Sequence, residues 1–187
     1  MMKKLLALTL ALALVLGLVG SMAAEPAVGG ELIYGSTTEI SGDWAHGAIW
    51  TNNASDNMIR GMMNDYSTVS FDQGGALVMN QSITESIDSQ VNEDGTKTFT
   101  VKIAEDLVFN DGSPITAEHY LAGILLFSHP ALIELGSKSV AHLTYVGGDD
   151  YSKGTTMVFS GVRLLDTYTY SLTVTADKVP YFYDLYY

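Results

Sequence analysis

Four histidines and three adjacent acidic pairs are the residues best suited to chemistry, and their spacing says what that chemistry would be. His46, His119, His129 and His142 show none of the i, i+4 spacings that place imidazoles around one metal, so no metal site is expected. Glu93-Asp94, Glu105-Asp106 and Asp149-Asp150 each offer two carboxylates, as an acid and base flanking a glycosidic bond would require. All three sit among Gly, Asn or strand-end residues, where the expected role is a solvated turn. Asn92-Glu93-Asp94-Gly95 lacks the alternating acids and distal Glu of a calcium loop and is expected to be a hairpin turn. The chain has no cysteine, which removes thiol catalysis, disulfides and thiolate ligands. Nor does it carry a Gly-x-Ser-x-Gly elbow, a P-loop or a dinucleotide fingerprint. No catalytic residue and no cofactor is expected.

The elements that would position these residues are clearest in TFTVKIAEDLVFNDGSPITAEHYLAGILLF, residues 98–127. Phe99, Val101 and Ile103 fall on one strand face, with Thr98, Thr100 and Lys102 on the other. Asn110-Asp111-Gly112 supplies a tight turn, and Pro114 stops the ladder. Thr116 is the expected cap of a helix over 117–127, with Glu118 in the first turn where the helix dipole favours a negative charge. His119 stands where a full capping box needs an acid, so the box is expected to be incomplete. Leu121, Ile124, Leu125 and Phe127 form the stripe to be buried. His119 is expected on the helix surface, and His129 near the helix C-terminus, where positive charge is favourable.

Elsewhere the patterning predicts a short strand at 32–34, a hydroxyl-rich polar loop at 36–43 and an irregular aromatic stretch at 44–53. A helix follows over 56–63, capped by Ser55, with Ile59, Met62 and Met63 on one face. Strands are expected at 76–79, 83–91, 96–103, 157–160 and 168–175. A short helix is expected at 131–135, and loops at 147–150 and 152–154. Tyr168, Tyr170, Leu172 and Val174 alternate against Thr169, Ser171, Thr173 and Thr175 in the last strand.

Lys3 and Lys4, the apolar run 5–20 and the small residues Ser21-Met22-Ala23 form a leader over 1–23, with export as the consequence. Leu18-Val19-Gly20-Ser21 has the shape of a lipoprotein box with Ser in the Cys position, so lipidation there is not expected. Past the leader about 160 residues remain, enough for an ordinary domain with a real core. The net charge of −12 argues against binding nucleic acid or anionic lipid. The chain closes on the aromatic cluster Val179-Pro180-Tyr181-Phe182-Tyr183-Asp184-Leu185-Tyr186-Tyr187. Such a patch is unfavourable when wet, and a chain that continues past Tyr187, as the family resemblance described next implies, would cover it. A tail docked on its own core is the alternative.

Five ordered patches carry a family resemblance. Gly30-Glu31-Leu32-Ile33-Tyr34 resembles a first strand and DNMIRGMMND (56–65) the helix after it. Asp111-Gly112-Ser113-Pro114-Ile115-Thr116-Ala117-Glu118 resembles D-G-x-P-[IV]-T-A-E. Val162-Arg163-Leu164-Leu165-Asp166-Thr167-Tyr168-Thr169 and Val179-Pro180-Tyr181-Phe182-Tyr183 resemble two later strand and turn motifs. Together they resemble the extracellular solute-binding proteins of peptide and nickel ABC importers. Ala104 and Val108 depart from that pattern, standing where the family usually carries a basic residue and often a Lys.

The resemblance implies an α+β / α/β, periplasmic-binding-protein-like fold with two lobes of the Venus-flytrap type. It divides the chain into the leader 1–23, an opening segment of the ligand-binding lobe at 24–67, and a β-rich accessory domain at 68–187. It implies a monomer that is not an enzyme, located in the periplasm or outside the cell. Its partners would be a peptide ligand and a membrane permease with its ATPase subunits. The group that grips the peptide's amino terminus would lie far downstream. Peptide clefts satisfy a ligand's backbone with main-chain and short polar groups, while pockets take its side chains. Ser36, Thr37, Thr38, Asn52 and Asn53 have that chemistry, and Trp44 and Trp50 could supply flat walls or could be lobe core. The other readings are a secreted hydrolase fragment and a β-rich cell-surface adhesion module.

Overall fold

The computed structural model describes residues 29–43, 50, 53–63 and 67–181. Helix α1 (Ala54–Met63) precedes the paired strands β1 (Val69–Phe71) and β2 (Leu77–Met79), then β3 (Thr84–Val91) and β4 (Lys97–Ile103). Helix α2 (Ala117–Phe127) is followed by short helices α3 (Pro130–Glu134), α4 (Ala141–Thr144) and α5 (Gly148–Ser152). Strands β5 (Val162–Leu164) and β6 (Thr169–Val174) and a 3-10 turn at Val179–Tyr181 complete the order. The chain divides into two units, Met1–Thr37 and Thr38–Tyr187.

The second unit is organised by an antiparallel sheet in the order β3-β4-β6-β5. Phe99 sits opposite Leu172 and Val101 opposite Tyr170, so the alternating apolar residues of β4 and β6 share one face. That face is the core: Phe99, Val101, Ile103, Tyr170, Leu172 and Val174 are buried, joined by Ala117 and Leu121 of α2 and by Ile83, Leu107, Ile115, Tyr145, Phe159 and Val162. Ile124 and Leu125 pack against it partly buried. Thr98, Thr100, Lys102, Thr169, Ser171 and Thr173 occupy the opposite face. There the Thr98 and Thr173 hydroxyls bond each other at 3.0 Å. Lys102 pairs with Glu85, whose hydrogen bond and charge raise the ammonium pKa.

The turn between β3 and β4 closes through Asn92 and Gly95, the latter at φ +81°, a region glycine enters without steric cost. Asp94 accepts from the Thr96 hydroxyl and amide, and those bonds hold its carboxyl below the usual range. Glu93-Asp94 is thus a turn pair. Asp149 lies in the first turn of α5 and pairs with Lys153, and Glu105 lies 3.8 Å from Lys102.

Helix α2 starts and stops where the patterning predicts, but its cap corrects the expectation of an incomplete box. The Thr116 amide donates to His119 Nδ1 at 2.9 Å, so the imidazole makes the reciprocal bond usually made by Glu or Gln. Replacing His119 by alanine is expected to cost about 0.5–1 kcal/mol of stability, while His119→Gln stays near the parent. Urea midpoints of the two variants check this. His129 caps α3 through Nδ1, which accepts from the Ala131 amide at 3.3 Å, with Pro130 at the first helical position. Its ring nitrogen is therefore an acceptor for the next helix.

Other expectations are corrected. Residues 32–34 form no strand, and Leu32, Ile33 and Tyr34 are 92%, 85% and 67% exposed. A strand needs a ladder for its backbone groups, and no described strand offers one. The glycine-rich stretches expected as loops around 147–154 hold α5 instead. Gly147 takes φ +78° at its N-cap, and a side chain on Gly148 would meet the His142 carbonyl oxygen at 2.3 Å. The glycines there permit close packing of α5 on α4. Residues 157–160 are not a strand, since only Phe159 of Met157-Val158-Phe159 is buried, and β5 takes the sheet edge beside β6. Ser55 does not cap α1, which begins at Ala54. The exposed Met58, Met62 and Met63 leave the buried part of α1 at its polar first turn, Ser55 and Asp56.

Candidate functional site

Glu39 and Ser41, within the polar segment expected to face a ligand, meet the N-terminus of α1. Asn53 is the cap: its Oδ1 accepts from the Ser55 amide at 2.8 Å, and its backbone carbonyl accepts from Asn57 at 3.0 Å. Its Nδ2 donates to the Glu39 carbonyl at 3.0 Å, so both ends of the side-chain amide are engaged. Asp56, at the third helical position, is 1% exposed. Its carboxylate accepts from the Ser41 amide at 3.1 and 3.2 Å and from the Ser41 hydroxyl. Backbone N–H groups at a helix N-terminus favour a negative charge there, which offsets part of the cost of burying it.

Ser41 continues the network. Its Oγ accepts from the Asp43 amide at 3.2 Å, and Asp43 Oδ2 accepts from the Trp50 amide at 3.0 Å. Asp43 is 6% exposed. Trp50 itself is exposed. Thr38 is exposed in the same unit as Trp50 and Asn53, and Ser36 and Thr37 are exposed in the first unit. Trp44 and Asn52 lie outside the described residues, as do the leader 1–23 and the end of the aromatic cluster, 182–187. Sequence reasoning singled out Asn53 and Trp50 but missed Ser41, Asp43 and Asp56. The one available signal was an acid in the first turn of a helix preceded by a hydroxyl-rich loop.

The remaining titratable groups are dispersed. Among the described residues no group of three His, Asp or Glu side chains could hold a metal ion. His142 is half-buried on α4, and burial lowers its pKa. A groove of 430 Å³ runs between α2 and β5, lined by Glu118, His119, Leu121, Ala122, Leu125, Val162 and Leu164. No described helix is long and apolar enough to cross a membrane.

No family model matches this chain, and no curated protein matches it. Solved structures do. An oligopeptide-binding protein of an ABC transporter from Borrelia burgdorferi is 23% identical, over 69% of this chain and 25% of its own, with a TM-score of 0.55. The Haemophilus influenzae OppA, solved with the peptide RPPGFSPFR, is 20% identical over 68% of this chain and 24% of its own, with a TM-score of 0.54. The pheromone receptor PrgZ, described with its mode of peptide binding, is 17% identical over 74% and 27%, with a TM-score of 0.56. The chain spans about a quarter of the length of these structures. At such identities the likeness establishes fold. The chain has the mixed α+β fold of part of an oligopeptide-binding protein of the periplasmic-binding-protein type.

Proposed function

We propose that this chain is the opening part of the substrate-binding component of an ABC importer, which captures peptides outside the membrane and delivers them to the permease. The observation that carries the reading is the fold: its solved neighbours include an oligopeptide-binding protein of an ABC transporter, an OppA in complex with a peptide and a peptide-binding pheromone receptor. In this reading residues 24–67 open the ligand-binding lobe and 68–187 form the accessory domain. The second lobe corresponds to the parts of those structures that this chain does not span.

Ser36, Thr37, Thr38, Asn52 and Asn53 face the ligand with short polar groups, and Trp44 and Trp50 supply apolar walls. Two lobes close on the peptide by hinge motion, and the closed form docks on the permease, whose ATPase subunits supply the energy. The subunit performs no chemistry and needs no cofactor. After removal of residues 1–23 it works as a monomer in the periplasm or outside the cell, without a lipid anchor because it has no cysteine.

Uptake of labelled oligopeptides by cells tests this reading. Deleting the gene is expected to abolish the share of uptake that depends on this binding component. Uptake unchanged at low external peptide would refute it.

A further inference from the structure

We infer that Asp56 is the positioning residue of the ligand-facing segment, holding Trp50 and residues 38–43 in place through a hydrogen-bond relay that begins on α1. The inference rests on the reading that this segment faces the ligand. Asp56 is buried on the first turn of α1, yet its carboxylate reaches Ser41, 15 positions earlier in the chain. An acid at this helix position commonly serves its own helix by bonding the cap residue. Here two oxygens are aimed at the amide and hydroxyl of a loop residue, so the helix is the anchor and the loop is what is held.

The relay then runs in one direction. Ser41 Oγ takes the Asp43 amide, and the Asp43 carboxylate takes the Trp50 amide, so the main chain at both ends of 43–50 is tied to the same carboxylate network. Asn53 makes a second tie, from its side-chain amide to the Glu39 carbonyl. Two fixings, at Glu39 and Ser41, hold the short polar loop against the start of one helix. A ligand-contacting loop gains affinity when its geometry is set before binding, because less conformational freedom is lost on capture. Truncating Asp56 would remove the acceptor of these Ser41 amide and hydroxyl bonds.

The test needs no ligand, so failure of the relay and failure of the peptide reading are separable. Trp50 is one of the chain's two tryptophans, so in a Trp44→Phe background tryptophan emission reports on it. Amide exchange followed by NMR in the 187-residue chain gives the second readout. Asp56→Leu is expected to speed exchange at Ser41 and Trp50 about tenfold or more and to alter tryptophan emission, with Val101 and Leu172 in the sheet unchanged. Asp56→Asn keeps one carbonyl acceptor and is expected to recover part of the protection. Ser41→Ala cuts the relay without touching α1 and is expected to speed exchange at Trp50 as well. Parent-like exchange at Trp50 in Asp56→Leu or Ser41→Ala would overturn the inference. So would equal acceleration at Val101 and Leu172, which would mark a loss of global stability. If Asp56→Leu does not fold, Ser41→Ala decides alone.

Discussion

Replacing Phe99 by alanine is expected to destabilise the sheet unit by about 3–5 kcal/mol, the usual cost of emptying a fully buried aromatic site. Phe99 is 0% exposed. It lies opposite Leu172 at the centre of the β4–β6 pair, with the Lys97 ammonium 5.1 Å from the ring centre. Truncation would therefore remove the ring from the packed face and leave its neighbours facing a cavity they can only partly close. Domains are stable by only about 5–15 kcal/mol, so such a loss is a large share of the total. A fall in melting temperature of about 10 °C is the expected reading by circular dichroism. Thr100→Val, on the opposite face of the same strand, is the control and should move stability by about 0.5 kcal/mol or less. A Phe99→Ala melt within about 2 °C of the parent would contradict the assignment of this face as the core.

Gly161→Ala is expected to be nearly as damaging for a different reason. A methyl group there would meet the Val146 amide nitrogen and carbonyl oxygen at 2.7 Å and the Thr173 carbonyl oxygen at 2.9 Å. All three are backbone atoms. They also belong to a hydrogen-bonded junction: Gly161 donates to Val146, Val146 to Thr173, and Thr173 to Gly161, at 2.7, 2.9 and 2.8 Å. No rotamer change relieves the clash, so the segments before β5 and beside β6 must separate. The expected cost is about 3 kcal/mol, at the upper end for overpacking. Gly123→Ala makes the contrast. That glycine lies within α2 with open space around the position of a new methyl group, and alanine there should stabilise the helix by about 0.5–1 kcal/mol. Urea midpoints that fall for Gly161→Ala and rise for Gly123→Ala are the predicted pair.

The β4–turn–α2 unit and β6 were legible because each is written in a local pattern. Alternation of period two sorts Phe99, Val101 and Ile103 from Thr98, Thr100 and Lys102, and the same holds from Tyr170 to Val174. Helix α2 is bounded by Thr116 and by the approach to Pro130, again local signals. What was not legible depends on contacts between distant residues. Helices α4 and α5 form where Gly148 lets backbone approach backbone, a property no periodicity records. The role of His119 is invisible to a rule that looks for Glu or Gln. Residues 32–34 have strand patterning but find no ladder among the described strands.

The same division holds at the candidate site. The residue types between 36 and 53 suggested short polar groups beside indoles, which is local information. The connections from Asp56 to Ser41, from Asp43 to Trp50 and from Asn53 to Glu39 cross 15, 7 and 14 positions. Nothing in the spacing of Ser41, Asp43 and Asp56 announces that they meet. Two of the residues suggested for ligand contact prove to be tied into this network, Asn53 through its side chain and Trp50 through its amide.

Calorimetric titration of mixed oligopeptides, with RPPGFSPFR as a defined probe, tests peptide capture most directly. It should be run on the native polypeptide that contains this sequence and, in parallel, on the 187-residue chain. The native polypeptide is expected to bind peptide at about micromolar Kd or tighter, some 8 kcal/mol of binding free energy, while the 187-residue chain gives no measurable heat. No peptide binding by the native polypeptide, or micromolar binding by the 187-residue chain alone, would contradict a capture site shared between two lobes.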